Sequence, residues 1–278
     1  MPMQSVSNPA NDLPPLVLVH GMLGFGDVGV GKLRYSYFRH IDTALARRGH
    51  IILRPRVHPL GGVVRRATEL RDAVLPQLEK LGRKVIFVGH SLGGLDCRYA
   101  IRHLGLHAYA SALLTVTTPH HGSVFADWMA GNLGQKLHAN QTAARLGLDI
   151  GSLQDVRVEA MAGFNREVPD HPDVAYFSVS CFRSNWYQLT PILVPSWRMI
   201  RSVEGPNDGW VSVASSTWGR HLADWECDHF HSVNKRFVPR PIDQTGDVTG
   251  LWVSAVGHVT EQIASLGGTG GEIGARVG

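Results

Sequence analysis

Ser91 stands in Gly89-His90-Ser91-Leu92-Gly93, directly after the apolar run Val85-Ile86-Phe87-Val88. An apolar strand feeding into Gly-x-Ser-x-Gly describes a sharp strand-to-helix turn that carries the serine hydroxyl at its tip. The flanking glycines have a steric reason. A Cβ at either position would collide across the turn, and the serine itself must hold a strained backbone. A hydroxyl is a weak nucleophile at neutral pH, so it needs a histidine in hydrogen-bond reach, and the histidine needs an orienting acid. On a sheet of this kind the chain order is serine, acid, histidine. With 15 histidines present, that order must narrow the choice. Beyond the last clear strand it leaves His221, His229, His231 and His258, with Asp208, Asp224, Glu226 and Asp228 as acids. Asp208 lies in Pro206-Asn207-Asp208-Gly209, a tight turn that would hold a carboxylate rigidly. His229 lies in Asp228-His229-Phe230-His231, a loop between apolar segments. Ser91, Asp208 and His229 are therefore the candidate catalytic set. An oxyanion formed in acyl transfer needs two fixed N–H donors. The amide of Leu92 opens the helix after the serine, and the amide of Met22 follows His20-Gly21 at the end of the first strand.

These residues must be brought together by a framework. Leu16-Val17-Leu18-Val19 reads as a buried strand between Pro15 and His20-Gly21. Residues 35–48 suit a helix stopped by Gly49, and Ile51 to Val57 a second strand. Residues 63–81 place Leu70, Val74, Leu78 and Leu81 at helical spacing, with Gly82 as the stop. Pro76 within that stretch predicts a kink or a late start. A strand over 84–89, a helix from Leu92 to His103, and strands at Ala112–Val116 and Val174–Val179 follow. Apolar strands alternating with helices predict an α/β fold, a mostly parallel sheet covered on both faces. Ligands of such sheets sit beyond the carboxyl ends of the strands. The turns at 20–22, 89–91 and 117–123 should therefore share one rim. Residues 124–165 interrupt the pattern with Phe125, Met129, Leu133 and Leu137 at i, i+4 spacing. That stripe could pack on the core or cover the rim. The expected organisation is a flexible segment over 1–15, one domain over 16–266 with a helical lid insertion at about 124–165, and a Gly-rich disordered tail over 267–278. Trp186, Trp197 and Trp210 could line the acyl groove, but core packing is the expectation for them.

Composition excludes several classes. The net charge of +4 comes with scattered arginines and no basic stripe, which argues against a nucleic-acid partner. No apolar run is long enough to cross a bilayer, and the first fifteen residues lack the apolar centre of a secretory signal, so a cytoplasmic protein is expected. Cys97, Cys181 and Cys227 form no Cys-x-x-Cys motif and are expected to be free thiols. No metal or organic cofactor is expected.

Five motifs occur in order: Val17-Leu18-Val19-His20-Gly21-Met22-Leu23-Gly24-Phe25-Gly26, Gly89-His90-Ser91-Leu92-Gly93-Gly94, Thr118-Pro119-His120-His121-Gly122-Ser123, Asn207-Asp208-Gly209 and His229-Phe230-His231-Ser232-Val233-Asn234. Together they resemble the bacterial true-lipase family of the α/β-hydrolase fold, the group typified by Pseudomonas and Burkholderia triacylglycerol lipases. The resemblance covers roughly residues 15 to 235. It implies Ser91 as nucleophile, Asp208 as acid, His229 as base, and the amides of Met22 and Leu92 as oxyanion hole. It also implies a mobile lid after Ser123 over an acyl-binding groove, an ester or lipid substrate, and transient contact with a lipid interface. Two features depart from the secreted relatives. Where those hold a calcium-binding aspartate and glutamine after the catalytic histidine, this chain has His231 and Lys235, poor ligands for a hard cation. Where they hold a disulfide cysteine after the Asn-Asp-Gly turn, this chain has Ala214. The resemblance thus implies a calcium-independent intracellular branch. The expected activity is serine ester hydrolysis on apolar acyl chains, as in a triacylglycerol lipase. A carboxylesterase, a phospholipase, an acyltransferase and an inactive binding scaffold are the alternatives on the same fold.

Overall fold

A computed structural model of the chain describes residues 13–22, 28–30, 33–136, 151–235 and 246–268. The strands are β1 (Leu16–Val19), β2 (Val28–Val30), β3 (Leu33–Tyr35), β4 (Ile52–Leu53), β5 (Val85–His90), β6 (Ala110–Val116), β7 (Ala175–Cys181) and β8 (Arg220–Trp225). Six of them form one parallel sheet in the order β4-β1-β5-β6-β7-β8, and β2 and β3 form a separate antiparallel pair. The helices are α1 (Ile41–Arg47), α2 (Val63–Leu81), α3 (Leu92–His103), α4 (Val124–Lys136), α5 (Gly151–Asp155), α6 (Val158–Glu167), α7 (Val194–Val203), α8 (Val213–Ser216) and α9 (Thr249–Gly268).

The uninterrupted apolar strands follow from burial on both faces. Leu16, Leu18, Ile86 and Val88 point to one side, where Ile41 of α1 and Trp252 of α9 pack on them. Val17, Val19, Val85 and Phe87 point to the other, against Leu70 and Val74 of α2 and Ile101 of α3. Alternate residues thus enter opposite cores, which selects apolar residues throughout Leu16–Val19 and residues 85–88. All parallel strands end on one rim, and the loops after β1, β5 and β6 meet there.

Several boundaries differ from those read in the sequence. The helix expected over 35–48 is only α1, because residues 33–35 form β3 and His40 enters α1 in a left-handed conformation (φ 65°). The intervening Tyr37 and Phe38 are drawn into the core instead. The strand expected over 51–57 shortens to β4 at the sheet edge; Pro55, which has no N–H to donate, follows it. The helix α2 starts on time at Val63 and runs through Pro76. The edge strand β8 was not predicted, since Arg-His-Leu-Ala-Asp-Trp is largely exposed and lacks an apolar run. Nor was α9, which carries Gly267 and Gly268 and so shortens the expected tail. At the other end, just before β1, the Pro15 carbonyl accepts the Ile86 N–H (2.9 Å). Residues 1–12, 137–150 (with Leu137) and 269–278 lie outside the described residues. Among the described residues, no helix is long and apolar enough to cross a membrane.

Candidate active site

Between β5 and α3, Ser91 adopts φ 53° and ψ −129°, a strained conformation for a residue with a Cβ. The surroundings over-determine it. The Ser91 N–H donates to the Val116 carbonyl (2.9 Å), and the Thr118 hydroxyl donates to the Ser91 carbonyl (2.7 Å). The flanking glycines are sterically required. A Cβ on Gly89 would lie 2.5 Å from the Gly94 Cα, and one on Gly93 would lie 2.4 Å from the Val19 carbonyl oxygen.

The three candidate side chains meet at the rim. His229 Nε2 lies 3.1 Å from Ser91 Oγ, and His229 Nδ1 lies 2.7 Å from Asp208 Oδ2. All three residues are buried. The turn holding Asp208 is built by its own side chains. Asn207 Oδ1 accepts the Gly209 N–H (2.9 Å), and Gly209 takes φ 102°. Asp208 Oδ1 accepts the N–H groups of Trp210 (2.9 Å) and Val211 (2.8 Å). Asp208 Oδ2 accepts the Thr117 hydroxyl (2.5 Å) besides the imidazole. The backbones also join, since the His229 N–H donates to the Asp208 carbonyl (3.0 Å).

The other candidates are placed elsewhere. Asp228 is buried beside His229 but turns to the backbone: it accepts the N–H groups of Thr190, Phe230 and His231 and the Thr190 hydroxyl. It shapes the histidine loop without touching the imidazole through these bonds. Asp224 faces His221 at 2.9 Å on β8. His231 accepts from Arg183 Nη2 (2.8 Å) and donates to the Gly246 carbonyl (2.6 Å). Glu226 and His258 are exposed. No group of three or more His, Cys, Asp or Glu side chains is arranged to hold a metal ion among the described residues.

Met22 and Leu92 line the same cavity as Ser91 and His229. Among the described residues neither backbone N–H is used in a hydrogen bond within the protein. The turn that presents Met22 is anchored by a buried ion pair that the sequence reading did not single out. Arg66 of α2 meets Asp96 of α3 through Nε (2.9 Å) and Nη2 (2.7 Å), and Nη2 also donates to the His20 carbonyl (2.7 Å). Burial raises the Asp96 carboxyl to about 6 against the pull of Arg66. Burial, and then the Arg66 charge, lowers His20 to about 4. That neutral imidazole donates from Nδ1 to the Gly21 carbonyl (2.9 Å). Thr117 was also missed as an acid-holding residue; only its place in the turn after β6 hinted at the rim.

The cavity has a volume of about 420 Å³ and is mostly apolar. Phe125, Ala126 and Met129 of α4, Leu153 of α5 and Trp210 line it above Ser91. Trp210 takes the groove-lining alternative: it packs against the Leu189, Leu193 and Trp197 cluster, lines the cavity, and its ring lies 4.9 Å from the His229 ring. Trp197 is buried as expected, whereas Trp186 is 54% exposed.

Comparison with known proteins shows what this chain is similar to. A family model described as "Alpha/beta hydrolase family" matches residues 16–262. Triacylglycerol lipase 2 of Saccharomyces cerevisiae is 31% identical over 212 residues, which span 73% of this chain and 63% of the yeast protein. This chain thus covers less than two thirds of that relative. The triacylglycerol lipase of Pseudomonas fragi is 27% identical over 79% of this chain and 87% of its own length. Among solved structures, the lipase of Staphylococcus hyicus superposes with a TM-score of 0.70 at 18% identity, covering 95% of this chain and 99% of that one. The mature lipase BlEst2 of Bacillus licheniformis gives a TM-score of 0.68 at 21% identity, over 91% of this chain and 96% of that one. These two likenesses concern the fold.

Proposed function

This chain belongs to the alpha/beta hydrolase family, and we propose that within it the protein is a serine carboxylic-ester hydrolase of the triacylglycerol lipase type. One observation carries the reading: the Ser91–His229–Asp208 line opens directly into an apolar cavity of about 420 Å³. The names of the yeast and Pseudomonas relatives support the same substrate class.

In this reading His229 Nε2 takes the Ser91 proton as Oγ attacks the acyl carbonyl. The amides of Met22 and Leu92 hold the developing oxyanion. Asp208 keeps the imidazole in its Nδ1–H tautomer and stabilises the imidazolium that forms. His229 then returns the proton to the departing alcohol, and water repeats the sequence to release the acid. The acyl chain lies along Phe125, Met129 and Leu153, so α4 and α5 act as the lid. Calcium plays no part in this proposal: at the position where the family resemblance implies a calcium ligand, the His231 imidazole is engaged by the Arg183 guanidinium and the Gly246 carbonyl.

A fluorophosphonate probe should label the wild-type protein at Ser91 and leave Ser91→Ala unlabelled, because only an activated serine reacts. Absence of labelling in the folded wild type would refute the reading. A p-nitrophenyl ester series, run with chelator and with an emulsion interface, is expected to favour apolar chains, ignore the chelator and accelerate at the interface.

A further inference from the structure

A single file of buried hydrogen bonds joins three loops of the site. The Gly21 N–H donates to Tyr37 Oη (3.1 Å), and Tyr37 Oη lies 2.8 Å from His90 Nδ1. His90 Nε2 lies 2.7 Å from Ser232 Oγ, and Ser232 Oγ donates to the His229 carbonyl (2.7 Å). Tyr37, His90 and Ser232 are all buried. None of the three belongs to the catalytic set above.

The two ends, together with a neutral His90, determine the protons in between. An amide N–H can only donate, so Tyr37 Oη accepts from Gly21. A carbonyl can only accept, so Ser232 gives its hydroxyl proton to His229. Ser232 Oγ must then accept from His90 Nε2–H, which leaves Nδ1 unprotonated to accept from the Tyr37 hydroxyl. Of the two neutral tautomers of His90, only the Nε2–H form completes the file. Burial, and then the neighbouring His229, holds this imidazole well below its usual pKa, so it stays neutral. The Lys235 ammonium lies 4.1 Å from the centroid of the Tyr37 ring, which fixes the ring face and strengthens its hydroxyl as a donor. The steric margin at the first link is small: a Cβ on Gly21 would lie 2.8 Å from Ser91 Cβ and 2.9 Å from Tyr37 Oη.

We propose that Tyr37, His90 and Ser232 are positioning residues that couple the oxyanion turn at Gly21-Met22 to the loop carrying His229. The proposal rests on the ester-hydrolase reading. Through this file the amide next to Met22 and the backbone of the catalytic base are held to one another by way of the residue preceding the nucleophile. The three side chains act on the transition state through geometry, without touching substrate. A displaced oxyanion donor weakens transition-state binding and leaves ground-state binding nearly intact.

The test is a double-mutant cycle with Tyr37→Phe and Ser232→Ala, whose altered atoms are separated by the whole His90 ring. Each single variant should lower kcat by roughly 10- to 100-fold, with KM within about threefold, because full removal of one oxyanion donor costs roughly 10²- to 10³-fold. The double variant should be little worse than the poorer single one, since either change breaks the same file. Multiplicative losses in the double variant, or a Tyr37→Phe enzyme with kcat within twofold of wild type, would overturn the proposal. Unstable variants do not end the test. Histidine ¹⁵N NMR of the wild-type protein should find His90 as the neutral Nε2–H tautomer from pH 5 to 8. An Nδ1–H tautomer or an imidazolium would overturn the proposal without any substitution. Fluorophosphonate labelling separates the two failures: an unlabelled wild type sinks the hydrolase reading, whereas a labelled wild type with an unaffected Tyr37→Phe sinks only the coupling.

Discussion

Asp208 and Asp228 are both buried carboxylates beside His229, and replacing each with asparagine should give opposite defects. Asp208 Oδ1 faces two backbone N–H donors, those of Trp210 and Val211. An amide nitrogen cannot sit there, so in Asp208→Asn it must take the place of Oδ2. That place faces Thr117 Oγ1 and His229 Nδ1. The threonine hydroxyl can rotate and accept. The imidazole can comply only by moving its proton to Nε2, where it can no longer take the Ser91 proton. In serine proteases a wrong tautomer of this kind lowers kcat about 10⁴-fold, or roughly 5 kcal/mol of barrier at about 1.4 kcal/mol per tenfold. Stability should change little, because every buried group keeps a partner. Asp228→Asn has no such escape. One oxygen accepts the Phe230 and His231 N–H groups and the other accepts the Thr190 N–H, so either orientation opposes an amide nitrogen to a fixed backbone donor. A loss of about 1–3 kcal/mol per unsatisfied group is expected, with kcat per folded molecule reduced much less. The assay is steady-state ester hydrolysis beside urea unfolding of both variants. Asp208→Asn with kcat within tenfold of wild type would refute the assignment of the acid. So would Asp228→Asn losing 10⁴-fold while stably folded.

Three further outcomes follow from the same contacts. Thr117→Val removes the hydroxyl that Asp208 Oδ2 accepts while keeping the branched shape; kcat should fall about tenfold and stability by about 1.5–3 kcal/mol, as for hydrogen bonds to charged groups, and an unchanged kcat would show that the other three donors suffice. Gly93→Ala would press a methyl to 2.4 Å from the Val19 carbonyl oxygen; because backbone must move, about 1–3 kcal/mol should be lost together with activity, as read by Tm and turnover. His20 is held at about 4 in the folded protein against 6.5 ordinarily, so the folded state binds fewer protons between those values, and stability is fully present above pH 6.5 and falls as pH drops toward 4. The drop from this group is about 3 kcal/mol at about 1.4 kcal/mol per pKa unit. His20→Asn should remove that component of the pH dependence in urea titrations at pH 4 to 7. Asp96, raised from 3.8 to about 6, works in the other direction, losing stability as pH rises through that window, so the comparison must be made between variant and wild type.

Much of this molecule is legible in its sequence, for local reasons. The core strands are legible because both faces are buried, which selects apolar residues throughout β1, over residues 85–88 of β5 and over residues 112–114 of β6. Gly89 and Gly93 marked the nucleophile turn because the close approaches there exclude any Cβ. Asn207-Asp208-Gly209 marked a rigid carboxylate because its side chains close their own turn. The edge elements β4 and β8 were misjudged or missed because an exposed edge places few demands on residue type. The start of α1 was misplaced because Tyr37 and Phe38 follow distant core partners in preference to local helical spacing. The choice of Asp208 over Asp228 was suggested by turn chemistry, but only the fold fixes which carboxylate reaches the imidazole. Contacts spanning long stretches of chain leave no local pattern: the hold of Thr117 on Asp208, of Arg66 on the His20 carbonyl, and of Tyr37 and Ser232 on His90 exists only once the rim has closed. Spacing records what neighbours along the chain require of one another, whereas hydrogen bonds between loops depend on where the packed sheet delivers them.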